Sequence, residues 1–211
     1  MSKLTFDISV SLDGFVAGPN PGPDHPLGEG GMQLHEWIFG LESWRAPHGE
    51  PGGATGPVDD LVKEQFESAG ASIMGRGMFG GGDGPWDESW KGWWGDDPPF
   101  RHPVFVLTHH PRETLTFDNG SSFTFVTGGI ESALEQARAA AGEKNVAIGG
   151  GADTIQQYLR TGLVDEFQLH VVPVLLGAGI RLFDDAGAGE LERVRVVDST
   201  EVTHLRYRPL R

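Results

Sequence analysis

Two periods in the spacing of apolar residues predict strands that alternate with helices. Residues 3–10 (KLTFDISV) alternate apolar and polar side chains, which predicts a first strand. Apolar positions at helical spacing, preceded by acidic residues, predict a helix over 58–69. The short run ASIMG (71–75) that follows it predicts a buried strand. The first part of the chain therefore favours the order strand, long loop, helix, strand.

The rest of the chain continues this alternation and ends in strands alone. Helices are predicted in IESALEQARAAAG (130–142) and ADTIQQYLRTG (152–162), each ended by glycine. Strands are predicted in HPVFVLTHHP (102–111, ending near Thr108), SFTFV (122–126), NVAIGGG (145–151), VDEFQLHVVPVLLG (164–177), LERVRVVDS (191–199) and EVTHLRYRP (201–209). This order predicts an α/β protein with a mixed, mostly parallel sheet and a C-terminal antiparallel hairpin.

Two irregular regions interrupt the pattern. Residues 18–57 and 81–102 are rich in glycine and proline, and we interpret them as long loop insertions in a single domain spanning 1–211. The second insertion carries four of the six tryptophans of the chain. Such a cluster is typical of a loop packed onto the body or of a subunit contact, and Trp86 is the member that we expect to contact a ligand.

The amino-acid composition of the chain limits the classes of partner and of chemical site that we expect. The 211-residue chain has a formal net charge of −14, which opposes the counterion release that nucleic acids and anionic membranes require of a partner. Cysteine is absent, so disulfides and thiol nucleophiles are excluded. With neither a signal peptide pattern nor a membrane-length apolar run in the sequence, we expect a cytoplasmic protein. The eight histidines show no ligand spacing, so no metal site is expected.

Two junctions share one design, in which a strand leads through glycine into a helix. Gly75, Arg76 and Gly77 form the first, and Gly149–Gly151 form the second. Backbone N–H groups at such a junction, aided by the helix dipole, bind anions without lysines. The sequence GRGMFG matches the pattern GxGxxG of Rossmann dinucleotide-binding sites. In those sites a long helix follows the glycines, whereas GGDGPWDES cannot continue one, so we do not predict a Rossmann site here. Two junctions on separate strands favour a dinucleotide lying across the carboxyl edge of the sheet.

The motifs at these junctions carry a family resemblance. IGGGADTIQQYL and IMGRGMF resemble two segments of dihydrofolate reductases, VFVLTHHP resembles their third cofactor strand, and VSLDGFVAG resembles their first strand and mobile loop. Together with GLVDEFQLHVVPVLLGAGIRLF they are more similar to the riboflavin-biosynthesis reductase domain, the RibD C-terminal domain. The resemblance covers nearly the whole chain in the expected order. It implies a dihydrofolate reductase-like three-layer fold.

The resemblance further implies an NADPH site, with NADH the less favoured cofactor. Gly75–Met78 would hold the 2′-phosphate side, Thr108 and His109 would flank the adenine ribose, and 148–154 would hold the pyrophosphate. The implied cofactor residues are Gly75, Arg76, Gly77, Met78, Thr108, His109, Ile148, Gly149, Gly150, Gly151, Ala152, Asp153 and Thr154. Met78 replaces a hydroxyl residue frequent in the family, and Ala152 replaces a basic residue of dihydrofolate reductases.

Hydride transfer also needs a proton source, either a carboxylic acid or an ordered water near the substrate. Asp13 lies where the first strand meets the mobile loop, while Asp59 and Asp60 open the helix that bears the substrate carboxylate in dihydrofolate reductases. The sequence leaves the choice among these three open, because each is also an ordinary turn or helix-start residue. Trp86 and Leu176 are the expected substrate contacts.

The resemblance therefore favours an NADPH-dependent reductase acting on 5-amino-6-(5-phosphoribosylamino)uracil or a related small heterocycle. Few basic residues other than Arg76 are available for a substrate phosphate: Lys91, Arg101, Arg181 and Arg45. Dihydrofolate reduction is one alternative, and a non-catalytic nucleotide-binding regulatory protein is another. The apolar strand QLHVVPVLL and the terminal hairpin offer more apolar surface than a small sheet buries, so we expect a homodimer.

Overall fold

The computed structural model describes residues 2–22 and 25–210, so Pro23 and Asp24 of the predicted insertion and the two terminal residues lie outside the described part. Nine strands form one sheet, and two short strands form a second. The strands are β1 Leu4–Ser11, β2 Phe15–Ala17, β3 Ala69–Gly75, β4 Pro103–Leu107, β5 Leu115–Thr116, β6 Ser122–Val126, β7 Asn145–Gly150, β8 Glu166–Val172, β9 Ile180–Arg181, β10 Leu191–Asp198 and β11 Thr203–Pro209.

The main sheet has the order β10-β11-β8-β1-β7-β3-β4-β6-β5. The six strands from β8 to β6 run parallel to one another. β11 pairs antiparallel with β8 and with β10, so the C-terminal hairpin forms one edge, as predicted. β5 closes the other edge antiparallel to β6, while β2 and β9 pair separately.

Helices cover both faces of this sheet. They are α1 Glu42–Arg45, α2 Pro57–Ser68, α3 Arg76–Phe79, α4 Gly129–Ala141 and α5 Ala152–Arg160. α4 and α5 bury Ala137, Ile155 and Tyr158 against one face, whereas Leu61 and Val62 of α2 pack on the other with Trp37. The apolar stripe of each helix thus faces the sheet, which produces three layers. No helix within the described residues is long and apolar enough to span a bilayer.

The insertion between β2 and α2 is ordered rather than featureless. It contains short 3-10 turns at Gly31–Leu34, Glu36–Ile38 and Ala46–His48 in addition to α1. Leu34, Trp37 and Leu41 are buried, and they bring this segment down onto the face of the sheet that α2 covers. The tryptophan-rich loop after α3 packs onto the β4–β6 half of that same face through Trp86, Trp90 and Trp94.

The predicted element boundaries agree with the structure with one exception of note. The strand expected over 164–177 ends at Val172, because Pro173 follows and cannot donate to the ladder. The strand predicted to end near Thr108 ends at Leu107, in agreement with the prediction. The short strands β2, β5 and β9 were not predicted, since two- and three-residue strands carry too few residues to show alternation.

Candidate functional site

The residues predicted to bind cofactor and substrate follow the carboxyl ends of neighbouring strands. Along the sheet, β4, β3, β7, β1 and β8 are consecutive and parallel, so these ends share one edge. At that edge lie, in sheet order, Thr108 and His109, then Gly75–Met78, then Gly149–Thr154, then Asp13, then Leu176. Ligands of open parallel sheets bind at this edge, in the crevice beyond the strands. Residues spread over 163 positions of sequence are thereby brought onto a single edge.

The two glycine junctions adjoin each other. Met74 pairs with Gly150 in register, so β3 and β7 end side by side. A Cβ atom added to Gly75 would lie 2.6 Å from Oγ1 of Thr154 and 4.0 Å from the backbone nitrogen of Gly151. Real Cβ atoms do not tolerate the shorter distance, so glycine at position 75 permits the close approach of the two corners. The corners therefore form one continuous backbone surface.

The start of α5 supplies unpaired backbone donors to that surface. Thr154 and Ile155 donate their N–H groups to the carbonyl oxygen of Gly151, and no side chain caps the helix. The N–H groups before Thr154 have no acceptor within the helix and face the end of β7, as at any helix start. Together with the dipole of the nine-residue helix, they suit an anionic group. Asp153 is exposed beside them and partly opposes that preference.

Glycines at the end of β7 also accommodate a neighbouring side chain. Gly150 has φ of +122° and is followed by a cis peptide bond to Gly151. A Cβ atom on Gly150 would lie 3.1 Å from the sulfur of Met78, so Met78 packs against the glycine run where the family often has a hydroxyl residue. Ile148 contributes only backbone to this edge, because its side chain is buried in the core.

Arg76 is held by the tryptophan-rich loop. Its Nε donates to the carbonyl oxygen of Gly82 at 2.7 Å and its Nη2 to that of Gly84 at 2.5 Å. The guanidinium lies 3.7 Å from the centroid of a Trp86 ring. Nη1 is buried and has no hydrogen-bonding partner in the described residues. The loop thus fixes the position of Arg76 and leaves the hydrogen-bonding capacity of Nη1 unused by the described residues.

Trp86 lies inside an aromatic cluster, with Phe79 and Phe125 against its ring and its N–H donated to the carbonyl oxygen of His110. The guanidinium of Arg112 lies 5.2 Å from the Trp86 ring centroid, which adds a second cation that the sequence analysis did not select. In this arrangement the ring contacts Arg76 rather than the Asp13 end of the edge. The substrate contact assigned to Trp86 stays a prediction.

Thr108 and His109 begin the turn after β4. Oγ1 of Thr108 accepts the N–H of His110 at 3.1 Å, which closes a local turn and buries the hydroxyl. His109 is exposed. Leu107 pairs with Gly75, so this turn lies beside the first glycine junction, where the resemblance places the adenine ribose.

Asp13 joins two loops at the other end of the edge. Its Oδ1 accepts the hydroxyl of Ser11 at 2.6 Å and the N–H of Leu176 at 3.1 Å, while Oδ2 accepts the N–H of Gly177 at 2.8 Å. The Ser11 hydroxyl and these backbone donors lower the pKa of Asp13 to about 2. Asp13 is therefore ionised at neutral pH and fixes Leu176 relative to β1.

Asp59 and Asp60, at the start of α2, differ in environment. Asp59 is buried; its Oδ1 accepts the N–H of Ser43 at 2.8 Å, and its Oδ2 lies 2.9 Å from Nζ of Lys63. Although burial opposes ionisation, hydrogen bonds from Lys63 and Ser43 hold the pKa of Asp59 below its usual value. Asp60 is exposed. Asp59 ties α1 to α2 and is held as an anion rather than as a neutral acid.

A buried polar surface on β1, β8 and β11 was not predicted. Ser9, His170 and His204 are cross-strand neighbours, and Trp37 covers them with its N–H donated to Oγ of Ser9. The ring centroid of Trp37 is 4.7 Å from that of His170 and 5.0 Å from that of His204. Burial lowers the pKa of both histidines, so the pair is neutral at pH 7. The sequence did carry one signal of this surface: Asp7, Ser9 and Ser11 recur at every second position of the first strand, and this spacing predicts that they share one face of the sheet.

The fold and its glycine-lined edge define the class of protein. The protein has a dihydrofolate reductase-like α/β fold, with a mixed sheet, helices on both faces of the sheet and two adjoining β-to-α corners. The model of the RibD C-terminal domain family matches residues 2–205, and the chain belongs to this family.

A curated relative and two solved structures are similar to this chain over most of its length. The chain is 34% identical over 187 residues to the uncharacterized protein YwjB of Bacillus subtilis, covering 87% of this chain and 83% of YwjB. The crystal structure of a protein from Shewanella sp. PV-4 whose name refers to riboflavin biosynthesis aligns with a TM-score of 0.65 and 23% identity, covering 100% of both chains. Dihydrofolate reductase from Enterococcus faecalis, complexed with NADP(H), aligns with a TM-score of 0.52 and 14% identity, covering 98% of this chain and 96% of that one. At these identities the two structures show the fold alone.

Proposed function

We propose that the chain is an NADPH-dependent reductase that transfers a hydride to a small heterocyclic substrate. The observation that carries the proposal is the adjacency of the two corners, in which Gly75 lies against Thr154 and Gly151. This contact produces a backbone-lined surface at the carboxyl edge, long enough to span two strands and rich in N–H donors. An acidic protein can bind an anionic dinucleotide there without a basic patch.

The donors of this edge fit the parts of NADPH in the order that the resemblance implies. Gly149–Ala152 and the start of α5 would hold the pyrophosphate, and Thr108 and His109 would flank the adenine ribose. Arg76 would bind the 2′-phosphate through Nη1, the buried donor without a protein partner. When bound, the cofactor supplies the hydride from its nicotinamide ring. The chain's own residues bind and orient it.

The proton that accompanies the hydride requires a separate source. Asp13 is ionised and fully engaged with Ser11, Leu176 and Gly177, so its role is to position the loop after β8. Asp59 is paired with Lys63 and is likewise a poor donor. We therefore propose that an ordered water delivers the proton, with Asp13 shaping the site around it.

The proposed substrate is 5-amino-6-(5-phosphoribosylamino)uracil or a related heterocycle. Among the basic residues considered for its phosphate, Lys91 is paired with Asp96 and Arg101 with Asp97. Arg181 is the one that contacts the Asp13 loop, because its Nη1 donates to the carbonyl oxygen of Asp13 at 3.0 Å. Its guanidinium is half exposed, and its contact with Asp184 is long, at 4.0 Å, compared with 2.6 Å for Lys91 and 2.9 Å for Arg101. Arg181 is therefore the residue that we propose for the substrate phosphate.

Cofactor binding tests the proposal directly. Saturating NADPH should raise the melting temperature, since a ligand at 100 times its Kd adds about 2.7 kcal/mol to the free energy of unfolding. The variant Arg76→Gln should weaken NADPH binding about tenfold and leave NADH binding unchanged, because only NADPH carries the 2′-phosphate. Arg101→Gln, which removes a surface cation paired with Asp97, is the matched control. An unmoved melting temperature at saturating NADPH refutes the proposal.

The alternatives give different outcomes in the same assays. Dihydrofolate reduction is the alternative that the buried Asp59 at the start of α2 favours. It predicts that the wild type oxidises NADPH when dihydrofolate is present. It also predicts that one of the two single variants, Asp59→Asn or Asp60→Asn, loses this activity. A non-catalytic regulatory protein predicts tight NADPH binding without oxidation across a panel of pterins, pyrimidines and riboflavin precursors. Turnover with the ribosylaminouracil and not with dihydrofolate supports the proposed substrate.

A further inference from the structure

A second polar surface lies toward the amino ends of the strands. Asp7 of β1 pairs in register with Gln168 of β8, and Gln168 pairs with Arg206 of β11. Register partners on adjacent strands point to the same face of a sheet and lie about 4.8 Å apart. The three side chains therefore form one lateral row, under the second half of α2.

A cavity of about 190 Å³ opens above this row. Its lining is predominantly polar and comes from the starts of β1, β7 and β8 and from the end of α2. Besides the row itself, the lining includes Lys3, Thr5, Glu64, Gln65, Ser68, Asn145 and Glu166. Since a water molecule occupies about 30 Å³ of liquid, the cavity has room for a six-membered ring.

Two atoms of the row lack hydrogen-bonding partners in the described residues. Oδ1 of Asp7 and Nε2 of Gln168 are both buried, and Gln168 is only 2% exposed. The Oδ1 atom of Asp7 lies 3.7 Å from Nε2 of His170, which is too far for a hydrogen bond. The Gln168 amide lies near the Asp7 carboxyl and helps to lower its pKa, yet the two make no hydrogen bond of good geometry. Buried polar atoms of this kind are costly unless they find a partner.

The orientation of Gln168 is fixed by its neighbour. Oε1 of Gln168 accepts Nε of Arg206 at 3.2 Å, which leaves Nε2 as the end of the amide that is free to donate. Arg206 itself binds Glu64 at 2.6 Å, and Lys3 binds Glu166 at 3.2 Å. The cations of the lining are thus neutralised by carboxylates. What remains unpaired is one acceptor, on Asp7, beside one donor, on Gln168.

This cavity is separate from the candidate cofactor site. Asn145, in its lining, begins β7, and Gly150, at the cofactor edge, ends the same strand. Five residue steps along a strand span roughly 17 Å. The two sites therefore lie at opposite ends of the strands, and binding at one does not require contact with the other.

We propose that the cavity binds a small, flat, uncharged molecule that presents an N–H group beside a carbonyl oxygen, the edge found in lactams and cyclic ureides. The ligand N–H donates to Oδ1 of Asp7, and the ligand carbonyl accepts Nε2 of Gln168. An anion is disfavoured because Asp7, Glu64 and Glu166 outnumber Lys3 and Arg206. A cation is disfavoured because Glu64 and Glu166 are already paired with Arg206 and Lys3, and the free end of the Gln168 amide is a donor.

The probe is 2-pyridone, and its matched control is N-methyl-2-pyridone, which keeps the ring and carbonyl and loses the N–H. Proton–nitrogen correlation spectra of the full chain, recorded without nicotinamide cofactor, should show a saturable shift of the Gln168 side-chain amide with 2-pyridone. The N-methyl compound should bind about tenfold more weakly, because one hydrogen bond is lost. Equal binding of the two compounds, or no saturable shift, overturns the proposal.

A variant pair tests the residue assignment. Gln168→Leu should weaken 2-pyridone binding at least tenfold, whereas Gln136→Leu, the same change on the exposed face of α4, should leave it unchanged. Undiminished binding by folded Gln168→Leu contradicts the site. The two-compound comparison needs no variant, so it decides the matter even if Gln168→Leu fails to fold. Because NADPH is absent throughout, failure here is distinguishable from failure of the proposed reductase function.

Discussion

Three aspartates show how environment decides what one residue type does. Asp13 is stabilised as an anion by three hydrogen-bond donors, and Asp59 is stabilised by Lys63 and Ser43. Asp7 has no such compensation: burial is the largest influence, and it raises the pKa of Asp7 to about 7 despite the opposing charge of Arg206. Asp13 and Asp59, two of the candidates chosen from sequence, are thus stabilised as anions, and the carboxyl with a near-neutral pKa lies elsewhere.

Asp7 should make stability depend on pH near neutrality. Its pKa is raised from 3.8 in the unfolded chain to about 7 in the folded one, so the folded state holds this proton to higher pH. The resulting stabilisation is complete below about pH 4 and is lost as the pH rises through about 7. Asp7→Asn, which carries no charge, should therefore raise the free energy of unfolding at pH 8 by roughly 1–3 kcal/mol.

Urea unfolding of the wild type and Asp7→Asn between pH 5 and pH 8 measures this effect. The stability difference between the two proteins should grow with pH over that range. Asp60→Asn removes an exposed carboxyl and serves as the control. A difference that stays constant with pH would mean that Asp7 is not buried as described.

At the scale of elements, the junctions of β3 with α3 and of β7 with α5 were predictable, since glycine after a strand and before a helix is a local signal. Their contact was not. It depends on β3 and β7 being neighbours in the sheet, although about 70 residues of chain separate them. Likewise Arg76 was predicted at the junction, but its attachment to Gly82, Gly84 and Trp86 arises from the fold of an irregular loop.

Enlarging Gly75 should separate the corners. The added methyl of Gly75→Ala meets the buried Thr154 at 2.6 Å, so we expect at least tenfold weaker NADPH binding, measured by fluorescence titration. Gly189→Ala, outside both corners and with nothing within 4 Å of the added Cβ atom, should bind normally. The double variant Gly75→Ala/Thr154→Ala removes the clashing oxygen and should recover stability lost in the single variant. Normal NADPH binding by Gly75→Ala would contradict the role given to this contact.

At the scale of the whole molecule, the C-terminal hairpin leaves apolar surface uncovered. Leu191, Val194 and Val196 of β10 are each more than 40% exposed on the edge strand of the sheet. An exposed apolar edge strand tends to be covered by another chain. This surface is the part of the structure that fits the predicted homodimer.

Charge introduced on β10 should therefore dissociate the dimer that we propose. Multi-angle light scattering should give a dimer for the wild type and a monomer for Val196→Asp, because a buried unpaired carboxylate is costly at an apolar contact. Phe66→Asp, at an exposed apolar position on α2, should remain dimeric. A monomeric wild type would contradict the dimer itself. A Val196→Asp variant that stays dimeric would mean that the dimer contact does not involve β10.

The sequence by itself determined the periods of strand and helix, the glycine junctions and the family resemblance, because each of these is local and is written in consecutive residues. It also indicated the C-terminal hairpin through two adjacent alternating runs. Only the tertiary structure decided which junctions meet, which carboxyls are paired and which polar residues are buried. Those properties depend on the order of strands in the sheet and on loops folding over it, so Asp7 and Gln168 become neighbours although they lie far apart in the chain.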